Sequence, residues 1–459
     1  MKGAETPLNR YEQALYMTGG GAPVCRSVLA GVARSTRLAR SLATEHEQVI
    51  WNTAANVIGP VLFGYVLWVL REAAATGVKR LYFVSRDGQI LWHLATLVEQ
   101  AFPTGIECRY LYGSRQAWFL PAVQEVDESA LAWILQHTLI LTVRCVCERV
   151  DLTPETIQPV LEAGGFPATT WDQDLDQEAR VRLRDCFRQR AAHAAIQART
   201  KENRELVLRY FQQEGLLEGQ SFALVDIGWA GRLQRALSRL LTHADARPAG
   251  GTKGFYFGLC QELRAEADDV LRSYFIHADR PEPDWYSSRH VGVLELFMAA
   301  DHHGVRGYQP TPAGRLEPQF LAQGAPPLVA WGVRTQQEAC LSFVRELLHV
   351  LRQEDLESIS WRAVSDSLLR QFLTQPTPAE ARAYGCCEIT EQQTGQFTQR
   401  LTPPVGHWGV WRHLLTGKAA ACRGEWTEGA IVNAAFLRIF PYLKLMQARS
   451  VLRGVYRRR

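Results

Sequence analysis

The sequence predicts an α/β protein in two Rossmann-like halves, with a helical insertion between them and a helical carboxyl-terminal region. Three observations carry that reading. Two stretches share one layout: an apolar β-like run, a small polar turn carrying an aspartate and a glycine, then an amphipathic helix. The first is Arg80-Leu-Tyr-Phe-Val, Ser85-Arg86-Asp87-Gly88 and the helix from Gln89. The second is Phe222-Ala-Leu-Val, Asp226-Ile-Gly228-Trp229-Ala-Gly231 and the helix from Arg232. A further strand-like run follows each unit, at 108–113 and 254–258. Third, residues 129–215 show helical periodicity with almost no strand signal, and so separate the halves. Strand-to-helix turns of an α/β sheet lie at its carboxyl edge, where ligands bind. A helix amino terminus there offers free N–H groups and a positive dipole end to an anion. Two such turns in one chain predict two halves facing a shared cleft.

The elements follow in order. Residues 1–45 read as a weakly structured arm with some helix. A helix over Glu45–Ala75 is interrupted or kinked near Gly59-Pro60, because proline removes a backbone donor. Strands at 80–84 and 108–113 flank the helix from Gln89, a β-α-β unit expected to cross over right-handed, and complete a first half over 46–128. In the insertion, 129–215, Asp151-Leu-Thr-Pro-Glu-Thr is a helix-start pattern of polar cap, early proline and first-turn acid. The second half, 216–320, takes strands at 222–226, 254–258 and 271–276. The Pro- and Gly-rich stretch 310–330 reads as loop. Amphipathic helices at 331–355, 361–374 and 428–459 make up the region 321–459.

With 459 residues, 47% hydrophobic, 21% charged and a net charge of +4, the chain is an ordinary globular protein that demands no nucleic acid. Its basic residues are mostly arginine, whose planar fork suits carboxylates and phosphates; genomic base composition produces the same bias. The ten cysteines include no C-x-x-C pair, so neither a zinc ribbon nor a secreted disulfide framework fits, and a reduced, cytoplasmic compartment is expected. Residues 1–45 lack the sustained apolar stretch of a secretory signal. The greasiest segment, Ile58–Leu70, is shorter than the roughly 20 apolar residues a bilayer span needs, so it reads as a buried helix and no transmembrane span is expected.

Asp226 is the first candidate for chemistry. It ends an apolar strand and precedes a Gly-Trp-Ala-Gly turn, so its carboxylate should project into the cleft as nucleophile, general base or ligand contact. Gly228 and Gly231 permit close approach of a ligand, with Trp229 between them. The plainer reading is a cap on the following helix. In the other turn, Ser85 and the backbone N–H groups can hold a phosphate with Arg86 as a charged clamp, while Asp87 and Gly88 also fit a simple helix cap. The Ser-Arg pair recurs as Ser114-Arg115 after the next strand, which strengthens the case for an anion. Glu295, Asp301, His302 and His303 form a polar group in an apolar stretch. His302 can donate a proton or contact an anion, with a routine hydrogen bond as the plain alternative. Adjacent histidines point apart on regular structure and do not readily share a metal; no metal or other cofactor is expected.

Two other patterns stand apart. Asp172-Gln-Asp174-Leu-Asp176 has the D-x-D spacing that holds a divalent ion in some sugar transferases. No apolar strand leads into it, and an acidic helix amino terminus explains it more simply. After Glu428 no acid occurs, whereas Arg438, Lys444, Arg449, Arg453, Arg457, Arg458 and Arg459 alternate with apolar residues. That segment suits an anionic membrane surface at the inner face of the cell membrane, or a core-packed helix with a solvated tail.

At these residues the sequence resembles a bacterial, HAD-superfamily-like family found with surface-polysaccharide genes, whose members often carry an amino-terminal HAD phosphatase domain. The matching strings are Gly59-Pro-Val-Leu-Phe-Gly-Tyr-Val-Leu-Trp, Arg80-Leu-Tyr-Phe-Val-Ser-Arg-Asp-Gly, Tyr110-Leu-Tyr-Gly-Ser-Arg, Ala223-Leu-Val-Asp-Ile-Gly-Trp-Ala-Gly, Gly254-Phe-Tyr-Phe-Gly and the segment from Glu295 to Tyr308. They cover about residues 45–310. The HAD module itself, an apolar strand running into Asp-x-Asp, is missing, so phosphatase activity is not carried over. This companion domain also looks like the retaining β-Kdo transferases that cap O-antigen chains. That resemblance implies a GT-B-like arrangement, a nucleotide-sugar donor such as CMP-Kdo, a glycan acceptor, and Asp226 as the nucleophile that carries the sugar. Ser85, Arg86, Ser114 and Arg115 would hold the donor's phosphate or carboxylate, and His302 would assist. A sugar-phosphate phosphohydrolase and a non-catalytic binding subunit of a polysaccharide assembly complex are the competing readings.

Overall fold

Five short runs become strands; the central three are buried on both faces, and the edge strands are partly exposed. The structure, a computed structural model, describes residues 7–136, 140–264, 266–283, 285–390, 398–405 and 425–434. β1 (Arg80–Val84), β2 (Glu107–Leu111), β3 (Phe222–Asp226), β4 (Lys253–Gly258) and β5 (Val270–Ile276) form one parallel sheet in the order β2-β1-β3-β4-β5. The fold is therefore α/β, but the expectation of two sheets facing across a cleft is corrected. β1 pairs directly with β3, from Arg80 opposite Phe222 to Phe83 opposite Val225. The physical reason is an edge problem: each apolar strand would otherwise present a row of unpaired backbone groups, and joining the two units removes both edges.

Side chains alternate between two cores, as a period of two requires. Leu81, Phe83, Ala223, Val225, Phe255 and Phe257 enter one core, whereas Tyr82, Val84, Phe222 and Leu224 enter the other. The first core is covered by helices from both ends of the chain. α1 (Arg10–Thr18) and α2 (Pro23–Leu38) belong to it through Tyr11, Leu15, Leu29 and Ala33, so the expected weakly structured arm is instead two packed helices. Asn9 and Glu12 form a reciprocal capping box, and the fully buried Glu12 pairs with Arg37 at 2.6 Å. Small residues build the inner face of α2 among arginines, which is why its apolar stripe is faint in sequence.

α3 (Glu45–Thr53) and α4 (Gly59–Ala75) are joined by a π-helical turn over Ala54–Ile58, just before Pro60. The break is the expected one, since proline supplies no N–H to the ladder. This continuous segment is the one described helix long and apolar enough to cross a membrane, yet 94% of its apolar window is buried inside the protein. α5 (Gly88–Ala101) connects β1 to β2 on the same face.

After β2 come α6 (Arg115–Trp118), α7 (Glu128–Ile134), α8 (Val143–Arg149), α9 (Gln158–Ala163), α10 (Gln177–Arg188) and the long α11 (Arg190–Gln213). The insertion has a core of its own, from Leu120 to Ile196, and α11 then carries Val207, Tyr210 and Phe211 onto the second face of the sheet. The D-x-D stretch is structural. Asp176 caps α10, Asp174 accepts from the Leu141 N–H at 2.8 Å, and Asp172 pairs with Arg144.

α12 (Arg232–His243) joins β3 to β4, and α13 (Val291–Phe297) follows β5. The loop expected at 310–330 is corrected to an antiparallel hairpin, β6 (Val305–Pro310) with β7 (Leu316–Phe320), and a short helix, α14 (Pro327–Trp331). The hairpin forms because Tyr308 and Leu316 pack against α11 while Gly314, at φ +78°, turns the chain. α15 (Val333–Val350), α16 (Gln353–Ser358), α17 (Trp361–Thr374) and α18 (Pro378–Gly385) complete the helical cover. A small hairpin, β8 (Glu388–Thr390) with β9 (Thr398–Arg400), and a helix at Thr427–Asn433 end the described chain. The basic segment from Arg438 to Arg459 lies outside the described residues.

Candidate functional site

The strand order reverses between β1 and β3. β1 leads through α5 to β2 on one side, and β3 leads through α12 to β4 on the other. Such a topological switch point opens a crevice at the carboxyl ends of the two strands, the place where open parallel sheets bind ligands. Both aspartate-glycine turns lie there, side by side.

The turns are held from beneath by close backbone packing. A side chain on Gly88 would meet the Phe83 carbonyl carbon at 2.6 Å, so glycine lets α5 start hard against its own strand. A side chain on Gly228, at φ +139°, would collide with the Gly258 carbonyl oxygen. The peptide bonds Ser85–Arg86 and Gly228–Trp229 are both cis. Tyr65, on the buried helix α4, donates to the carbonyl of Asp226 at 2.8 Å and contacts that of Phe255 at 2.9 Å. Sequence reasoning missed Tyr65; the signal available was one polar tip in an otherwise apolar run.

Asp226 is 8% exposed, and among the described residues its carboxylate makes a single hydrogen bond, from the Ile227 N–H at 2.9 Å. Burial, then the charge of Asp87, pushes its pKa up to about 8; Glu295 adds to this, while the Ile227 N–H and Arg115 oppose it. Asp87 is half-buried and does not cap α5, so the plain helix-cap reading fails there. Burial and then Glu295 push Asp87 up to about 7, against Arg86 and Arg115. Two interacting carboxyls raised into the neutral range titrate as a unit and share protons. Glu295 completes the acidic group and accepts from the Trp229 indole N–H at 3.2 Å.

Two guanidiniums face these acids, and a third lies beside one of them. Arg86 and Arg115 act on Asp87, and Arg232, at the start of α12, acts on Arg115. None of the three forms an ion pair or a side-chain hydrogen bond among the described residues. Arg115 stays solvent-accessible while crowded by protein, as a cleft-lining side chain is, and burial pulls its pKa down. Arg232 is a further site residue that sequence reasoning passed over. Unpaired arginines around a shared acid pair favour an anionic ligand with planar or tetrahedral oxygens.

The other expected residues serve the scaffold. Ser85 donates to the Gly113 carbonyl at 2.8 Å and accepts from the Gly113 N–H at 3.1 Å, so its hydroxyl ties the two Ser-Arg turns together instead of facing a phosphate. Ser114 caps α6 and donates to the Val305 carbonyl at 2.5 Å. Gly231, at φ +67°, starts α12. Tyr110 and His302 Nε2 are 2.6 Å apart, and His302 Nδ1 lies 2.7 Å from the His303 carbonyl. That carbonyl only accepts, so Nδ1 carries the proton and Nε2 accepts from Tyr110. Burial lowers the His302 pKa. With both nitrogens engaged, His302 positions the Tyr110 side of the turn rather than delivering a proton. Asp301 exchanges hydrogen bonds with Gln89 and pairs with Arg334. Among the described residues no group of three or more His, Cys, Asp or Glu is placed to hold a metal ion.

Fold and site together define a class: a parallel α/β protein with a charged crevice at its switch point. No family model matches the chain, and no curated protein matches it.

Proposed function

We propose that the chain is a glycosyltransferase of bacterial surface-polysaccharide assembly that moves an acidic sugar, such as Kdo from CMP-Kdo, onto a glycan acceptor. The observation that supports this reading most is the Asp87–Asp226 pair beside three unpaired arginines at the switch point. Arg86, Arg115 and Arg232 bind the donor's phosphate and sugar carboxylate. Asp226, with its high proton affinity, is the better nucleophile once deprotonated. Its carboxylate forms a bond to the anomeric carbon as the bond to the phosphate oxygen breaks, and the leaving phosphate keeps that electron pair against the arginines. The acceptor hydroxyl then attacks the same carbon, Asp226 leaves as carboxylate, and the hydroxyl proton passes to Asp87 or Glu295. Two displacements retain the anomeric configuration. The donor spans the two strand-to-helix units, which play the part of the two lobes of a GT-B-like enzyme.

The test is incubation of the full chain with a panel of nucleotide sugars, CMP-Kdo included, followed by intact-mass analysis. A sugar-sized mass increase that maps to Asp226, absent from Asp226→Ala, is the expected result. Wild-type-like transfer by Asp226→Ala removes the mechanism. Phosphate release from simple sugar phosphates would replace the transferase by the phosphohydrolase reading, which uses the same arginines.

A further inference from the structure

A second charged site lies one residue beyond Arg115 along α6. A cavity of about 230 Å³, partly open to solvent, lies between the helical insertion and the β6–β7 hairpin, and its lining includes Gln116, Arg149, Asp151, Arg199, Asn203 and Arg306. Its charges do not balance. Asp151 is fully engaged, taking Arg199 and Arg306 as ion pairs and the Asn203 amide as a donor at 3.1 Å. Arg149 is only 3% exposed and faces no carboxylate among the described residues. Its Nη1 donates to the Ile134 and Gln136 carbonyls at 2.9 and 2.7 Å, which closes the end of α7. Its Nε has no partner among the described residues, and neither does Nη2.

A buried guanidinium without a counter-charge is costly, because desolvation is not offset by an opposite charge. Arg199 also pairs with Glu202, so three guanidiniums against two carboxylates leave one unmatched positive charge at the cavity, that of the buried Arg149. The volume holds several waters, yet falls below the roughly 300–1,000 Å³ of sites for larger organic ligands. The size and the unmatched charge suit a small anion, and arginine forks match tetrahedral oxygens.

We propose that this cavity is a binding site for a phosphate group, distinct from the switch-point crevice and independent of the transferase reading. Arg149 Nη2 and the exposed Arg306 supply the donors.

The test is calorimetric titration of the full chain with inorganic phosphate and, in a parallel arm, with a sugar phosphate, at constant ionic strength. Wild-type protein is expected to bind with a Kd of about 1 mM or tighter. Arg149→Met should abolish binding, but it also uncaps α7. Arg306→Gln, on the half-exposed hairpin, is therefore the deciding variant and should weaken binding about tenfold with unchanged thermal stability. The double variant Arg86→Gln, Arg232→Gln should bind phosphate at this cavity as the wild type does. Equal affinity for both ligands marks a free-anion site, and preference for the ester marks a substrate's phosphate. No binding by wild type, undiminished binding by Arg306→Gln, or loss of binding in the Arg86/Arg232 variant overturns the proposal. Sugar transfer can fail in every case without touching this result.

Discussion

Two buried aspartates sit at opposite edges of one sheet and are treated in opposite ways. Asp269, just before β5 at the amino edge, is 2% exposed. It accepts from Ser238 Oγ, the Thr252 N–H and hydroxyl, and Arg247, all at 2.9 Å. Burial works to raise its pKa, but the Thr252 N–H, Ser238 and Arg247 outweigh burial and hold it below the usual carboxylate range. Asp226, at the carboxyl edge, has one carboxylate hydrogen bond among the described residues and is pushed up to about 8, first by burial and then by Asp87. The chain can satisfy a buried carboxylate, and at the switch point it does not. Carboxyls with perturbed proton affinity in a crevice mark the functional edge of a sheet, whereas fully bonded ones hold it together.

Four substitutions probe that contrast. The largest effect is expected in transfer assays: under the proposed mechanism Asp226→Ala removes the nucleophile and should lose at least about 10³-fold in rate, while circular dichroism stays native. Asp269→Ala leaves Arg247 and the Thr252 and Ser238 donors without their acceptor, and should cost about 3–5 kcal/mol in urea unfolding at pH 7. Because the folded-state pKa of Asp269 is depressed, that stabilisation is present above the unfolded carboxylate range and should fade as pH falls through it. Asp226→Asn should behave in reverse. A raised pKa leaves no penalty near pH 4 and a growing one up to about pH 8. The variant should therefore match wild type at pH 4 and exceed it by about 2–4 kcal/mol at pH 9. A variant that is less stable than wild type at pH 9 would equate the two aspartates and end the contrast. The smallest effect belongs to Arg115→Gln, expected to raise KM for the anionic donor about tenfold with kcat little changed.

Much of the sheet was legible because its strands are short apolar runs bounded by polar turns. β1 and β3 occur at the residues their sequences predict, and α17 does too. Asp226 and Asp87 were legible as acids at strand ends. Their pairing was not, since 138 residues, mostly of the insertion, lie between the two aspartates that tertiary contacts make neighbours. The serines misled for a local reason. A Ser-Arg turn looks the same whether its hydroxyl faces a ligand or, as with Ser85 and Gly113, the next turn.

Hydrophobic periodicity and the punctuation by glycine and proline suffice to specify the strands, most helices and the acids at their tips, because these depend on neighbours a few residues away. The single sheet, the adjacency of the two turns, the raised proton affinity of Asp226 and the uncompensated Arg149 depend on groups far apart along the chain. Desolvation and Coulomb interactions act through space, so those properties exist only once the chain has folded.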